Sequence, residues 1–95
     1  MATTSPEELR NAEIDRAIAV LLGRTQAFPI LAGRVQQMLS SVYPELKATD
    51  DDVIRGLEML KGLSYVTEAP SAIGGPSRWK LSPEGVLALR RGDFA

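Results

Sequence analysis

Histidine and cysteine are both absent from this chain of 95 residues, and their absence removes the commonest site chemistries. No zinc finger, thiol nucleophile, disulfide or His-based triad can be assembled. The groups left to react or ligate are Ser, Thr, Tyr, Lys and the carboxylates. The densest run of them is Asp50-Asp51-Asp52, directly behind Thr49. Consecutive positions on a helix point in different directions, so these three do not converge on a metal ion. A helix N-terminus accounts for them instead, with Thr49 as cap and the carboxylates beside the free N–H groups and the positive dipole end. Gly74-Gly75 lacks the following helix and Lys–Ser/Thr pair of a phosphate-binding loop and reads as a flexible tip. No spacing groups a nucleophile with an acid and a base. The expectation is a protein that is not an enzyme and carries no cofactor, metal or small-molecule ligand.

The remaining chemistry is that of charge. Eleven basic residues face twelve acidic ones, a net charge of −1. A domain that lives on nucleic acid usually carries a basic excess, so any affinity for phosphate here must come from local patches. The best such patch is Arg78 and Lys80, which alternate along one segment and therefore share a strand face, with Ser77 beside them. Lys47 and Thr49 lie in the turn before the triple Asp, and Arg34 lies further upstream. Arg90 and Arg91 close a helix, where the negative dipole end already explains them. Three to five phosphate contacts from this set predict a log–log salt slope of roughly −3 to −4.5.

Four helices are predicted to position these groups. Ser5-Pro6-Glu7-Glu8 is a helix start, and Ile14, Ala17, Ile18 and Leu21 form one stripe up to Gly23, giving a first helix over about 6–22. Leu31, Val35, Met38, Leu39 and Val42 share a face of a second helix over about 29–42, with Pro29 in its first turn and Pro44 beyond its end. A weak strand signal precedes it, from Thr25 or Gln26 to Phe28. The third helix spans about 50–62, with Val53, Leu57 and Leu60 inward and Gly56 at the edge of that face. The period then changes to two. Strands are expected over about 64–68 and 77–81, joined by the turn-rich segment 69–76. Ser82-Pro83-Glu84 starts a fourth helix over about 83–91, closed by Gly92. A two-stranded ribbon is marginal alone, so Tyr65 or Val66, with Trp79 and Leu81, must lean on the helices. Trp79 is expected to fill core rather than to stack on a base. Leu9, Val20 and Ile30 fall off the helical stripes and leave apolar surface over.

The fold class is thus mainly α with a β-hairpin wing, one domain over 1–95. The run from Asp52 to Val66 resembles the recognition helix and first wing strand of small bacterial winged helix-turn-helix regulators. Arg78-Trp79-Lys80-Leu81-Ser82-Pro83-Glu84-Gly85 is similar to the second wing strand and following helix start of MarR-like and PadR-like proteins. The resemblance covers about residues 27–91. It implies that the third helix enters the major groove of DNA and that the wing touches the adjacent backbone. Carried over, the groove-facing positions are Asp51, Asp52, Arg55, Glu58 and Met59. Here the chain departs from the pattern, because three of the five are acidic and only Arg55 is basic.

Two functions follow as expectations. The first is a small DNA-binding transcriptional regulator without an effector domain. It uses Arg34, Lys47, Thr49, Arg55, Ser77, Arg78 and Lys80 on double-stranded DNA. As a homodimer held by the first or last helix, it would read half-sites about 34 Å apart. The second is a protein-interaction module that docks a protein partner through Asp51, Asp52, Glu58 and Met59. By analogy, compact domains of this size serve either role in phage and mobile-element proteins. No apolar run reaches the roughly 20 residues a membrane span needs. The first residues, Met1 to Glu8, lack the basic and apolar parts of a signal peptide, so a cytoplasmic location is the default expectation.

Overall fold

The structure is a computed structural model that describes residues 5–25, 28–70 and 73–93. Among the described residues, four α-helices pack with a small three-stranded antiparallel sheet: α1 (Pro6–Arg24), β1 (Ile30–Leu31), α2 (Ala32–Val42), α3 (Asp50–Gly62), β2 (Val66–Ala69), β3 (Arg78–Leu81) and α4 (Pro83–Arg91). A short 3-10 turn, Pro44–Leu46, joins α2 to α3. No helix is long and apolar enough to cross a membrane among the described residues.

The start signals in the sequence become hydrogen bonds. The Glu8 N–H donates to Ser5 Oγ at 3.1 Å. Thr49 and Asp52 form a reciprocal capping box, each accepting the other's backbone N–H. Gly85 N–H donates to Ser82 Oγ at 3.0 Å. Each cap satisfies N–H groups that a helix cannot pair internally. The bounds expected for α3 and α4 agree with those observed.

The first two helices differ from expectation. α1 runs on to Arg24 and passes through Gly23 without stopping. The missing side chain there admits Leu89 and Leu81. A Cβ on Gly23 would stand 2.9 Å from Leu89 Cδ2. α2 starts at Ala32 rather than near Pro29. Ile30 and Leu31 are extended and pair with Trp79 and Arg78 of β3. That pairing satisfies one side of β3, which would otherwise be an open edge. The extra strand lies C-terminal to the weak signal at residues 25–28, of which Gln26 and Ala27 fall outside the described residues.

The hairpin is therefore part of a sheet of order β1-β3-β2. Val66 pairs with Leu81, Glu68 with Trp79 and Ala69 with Arg78. The first strand begins at Val66 rather than at Ser64. Leu63 caps α3 and Ser64 adopts a left-handed conformation, which turns the chain before pairing starts. The second begins at Arg78, one residue after Ser77.

One connected core joins residues of α1, α2, α3, β2 and β3, and the partly buried Val86 and Leu89 of α4 and Ile30 of β1 pack against it. Ile14, Ile18, Leu21 and Leu22 of α1 meet Val35 and Leu39 of α2, and Val53, Leu57 and Leu60 of α3. Val66, Trp79 and Leu81 close it from the sheet side, as the alternation of the strands requires. Trp79 is a core residue, 5 % exposed. Gly56 is buried, not at an edge, and a Cβ there would press on Ile18 and Asp15 of α1. α1 and α3 are held close along this line.

Candidate functional site

The surface of α3 divides into two stripes. Positions three and four apart stack on one helical face. Asp52, Arg55 and Met59 form one stripe, and Asp51, Ile54 and Glu58 form its neighbour. The structure sends these stripes to different places.

The first stripe faces α1. Two Arg10 guanidinium nitrogens donate to the Asp52 carboxylate, at 3.0 and 3.3 Å. The same guanidinium also donates to the carbonyls of Leu46 and Lys47, at 3.0 and 3.1 Å. Arg10, together with the Thr49 N–H, pulls the Asp52 carboxyl down to a pKa of about 2. Arg55 donates to Asp15 Oδ1 at 2.9 Å and to the Asn11 carbonyl at 3.4 Å. Burial raises the Asp15 pKa, and the bond from Arg55 opposes that shift without cancelling it. The Arg55 Nε is buried with no hydrogen-bond partner among the described residues. Met59 turns to the same flank and lines an open groove of about 250 Å³ with Ala12, Asp15, Leu60, Leu63, Tyr65 and Asp93.

The second stripe faces solvent. Asp50, Asp51, Ile54 and Glu58 are all exposed, and Ile54 keeps 50 % of its surface accessible. Lys61, one turn beyond Glu58, donates to Glu68 of β2 at 2.8 Å. That pairing raises the lysine pKa and lowers that of Glu68. The outward face of α3 therefore presents three carboxylates around one isoleucine, and its lysine is already matched.

The five positions expected to face one groove are thus split. Asp51 and Glu58 belong to the solvent-facing stripe. Asp52 and Arg55 are committed to α1, and Met59 lies beside them. Ile54, which the sequence reading passed over as a site residue, is the apolar centre of the exposed stripe. Its place at i+3 from Asp51 and i−4 from Glu58 was the signal that could have found it. The partners of Asp52 and Arg55 lie about 40 residues away in α1, and no local pattern announces them.

The other expected phosphate-binding residues are dispersed. Arg34 is exposed on α2, bonds Gln37 at 3.4 Å, and lines a groove with Arg24. Lys47 is exposed in a left-handed conformation at the end of the 3-10 turn. Thr49 spends its hydroxyl on the cap of α3. Ser77 is half-buried and bonds Glu68. Arg78 and Lys80 are exposed on the outward face of β3, opposite Trp79 and Leu81, and form no ion pair among the described residues. Of the seven, only these two combine a shared face with a free charge.

Among the described residues no cluster of three His, Cys, Asp or Glu side chains is placed to hold a metal ion. Asp50, Asp51 and Asp52 diverge, as helical spacing requires. Compared with known proteins, the chain matches no family model, and no curated protein is significantly similar to it.

Proposed function

We propose that this chain is a winged-helix protein-interaction module whose α3 face docks a basic partner surface. The winged-helix reading is supported by the element order, with three helices, a hairpin that follows the third and pairs with the short β1 between the first two, and a closing helix. The observation that carries the function is the state of Arg55. It is the one basic residue among the expected groove-facing positions, and it is held 2.9 Å from Asp15. What remains outward on α3 is Asp50, Asp51, Ile54 and Glu58. Carboxylates on that face meet the phosphates of duplex DNA with repulsion. Against a basic protein surface the same groups attract, and Ile54 supplies apolar contact at their centre. The reading carries no catalytic role and places the protein in the cytoplasm.

Double-stranded DNA is the second reading, supported by Arg78 and Lys80. Two free cations on one strand face can meet one phosphate backbone, without base reading by α3.

Affinity purification from the source cell's lysate, paired with a DNA titration, separates the two. A partner held by the unmodified chain is expected to be lost on Asp51→Lys/Glu58→Lys. That double variant is also expected to gain affinity for duplex DNA at about 50 mM salt, where phosphate contacts are strongest. Micromolar DNA binding by the unmodified chain that disappears with Arg78→Ala/Lys80→Ala overturns the protein reading in favour of DNA.

A further inference from the structure

A second surface, away from the outward stripe of α3, leaves several apolar side chains exposed. Met59 and Leu63 at the end of α3 are 51 % and 54 % exposed, and Leu87 of α4 is 46 % exposed. They are not scattered. The groove that holds Met59 and Leu63 shares Tyr65 and Asp93 with a second groove of about 230 Å³, lined further by Glu84, Leu87, Ala88 and Arg91. The two grooves form one strip, from α1 across the end of α3 to α4. Single exposed apolar residues are ordinary on a surface, but a contiguous set rimmed by charge marks an interface.

We propose that this strip is covered by the same strip of a second copy, with the two α4 helices antiparallel across a two-fold axis. The charge pattern of α4 selects this occupant. Glu84, Leu87 and Arg91 lie three and four residues apart and share one exposed face. Neither Glu84 nor Arg91 is ion-paired among the described residues. When two such helices run antiparallel about an axis near Leu87, Glu84 of each copy lies beside Arg91 of the other. Two equivalent ion pairs then flank a central contact between leucines. An isologous interface requires this self-complementary arrangement, in which one patch is its own partner. Antiparallel α4 helices also set each positive helix end beside a negative one. A uniformly basic partner would meet Arg90 and Arg91, and a uniformly acidic one would meet Glu84, Asp15 and Asp93. The mixed rim disfavours both. The surface is distinct from the Asp51–Ile54–Glu58 stripe, so each can be tested without the other.

Sedimentation velocity on the full chain, from about 1 µM to about 200 µM, gives the dissociation constant by mass action. A dimer is expected at the upper end. Leu87→Glu buries two charges at the axis and is expected to weaken it at least about tenfold. Because Leu87 is outside the core, the thermal transition reported by the fluorescence of Trp79 should persist in that variant at a concentration where both proteins are monomeric. Arg91→Glu alone weakens the dimer, and Glu84→Arg/Arg91→Glu restores it by exchanging the charges. A chain that stays monomeric throughout overturns the proposal, as does a dimer insensitive to Leu87→Glu. A double variant as weak as Arg91→Glu overturns the antiparallel arrangement.

Discussion

Arg55 shows how one side chain redirects the reading of a whole helix. A cation near the middle of α3 resembles a groove-reading residue, yet its guanidinium spans to α1 and neutralises a carboxylate whose own pKa burial has raised. Arg55→Ala leaves Asp15 part-buried without its cation, at a cost of about 1–2 kcal/mol at neutral pH. The sign of the pH effect follows from Asp15. Its folded-state pKa lies above the unfolded one, so the folded form takes up the proton as the pH falls, and protonation removes the unpaired charge. The loss caused by Arg55→Ala should therefore be smaller near pH 4 than at pH 7, as measured by urea unfolding at both. Asp52 acts in the opposite direction. Its pKa is about 2 in the folded chain against an ordinary 3.8. Its stabilisation is complete above the unfolded value and is lost as the pH falls from about 4 to about 2. Asp52→Asn should flatten that part of the acid-unfolding profile, and a profile unchanged by the substitution would show that the Arg10 contact contributes nothing.

At the scale of elements, the joint between the sheet and α4 is closely fitted. Ser82 donates its N–H to the Tyr65 carbonyl at 2.9 Å and its hydroxyl to the Ser64 carbonyl at 2.5 Å, while the same oxygen caps Gly85. Ser82 is 3 % exposed, the one buried polar residue among those described. Ser82→Ala removes the cap and leaves the Ser64 carbonyl without this donor, for a loss of about 1–2 kcal/mol. Gly85 is more demanding. A Cβ there would collide with the Tyr65 carbonyl and with Leu81, and backbone cannot swing aside as a side chain can. Gly85→Ala should cost about 3 kcal/mol and lower the melting temperature by roughly 10–20 °C. Gly23→Ala is the control. Its close neighbours are the ends of two leucines, and alanine is the better helix former by about 1 kcal/mol, so its melting temperature should move by only a few degrees. Circular dichroism on the three variants checks the ranking.

At the scale of the molecule, charge is distributed by face rather than balanced everywhere. The outward stripe of α3 is acidic around Ile54, the outward face of β3 carries Arg78 and Lys80, and the strip by α4 mixes both signs. Under the proposed function, Ile54→Ala should weaken partner binding several-fold and leave the melting temperature within about 2 °C, because the side chain is half exposed and outside the core. Calorimetry with the purified partner, alongside thermal unfolding, measures both. A loss of stability without loss of binding would assign Ile54 to packing instead.

Much of the architecture was legible in the residue order because its causes are local. Caps at Ser5, Thr49 and Ser82 mark where α1, α3 and α4 start, and the change to alternation after Gly62 locates the two hairpin strands to within two residues. The same alternation put Trp79 and Leu81 inward and Arg78 and Lys80 outward. What only the tertiary structure decided were matters of distance across the chain. β1 exists because β3 offers it an edge nearly fifty residues later. Gly23 lies within α1, with Leu89 and Leu81 packed against it from the far end of the chain. Arg10 and Arg55 are bound to carboxylates on another helix, and those ion pairs determine which charges of α3 remain for a partner. Local periodicity assigns a side chain to a face, but the neighbour that face meets is set by how the helices pack, and a single sequence holds no local signal of that packing.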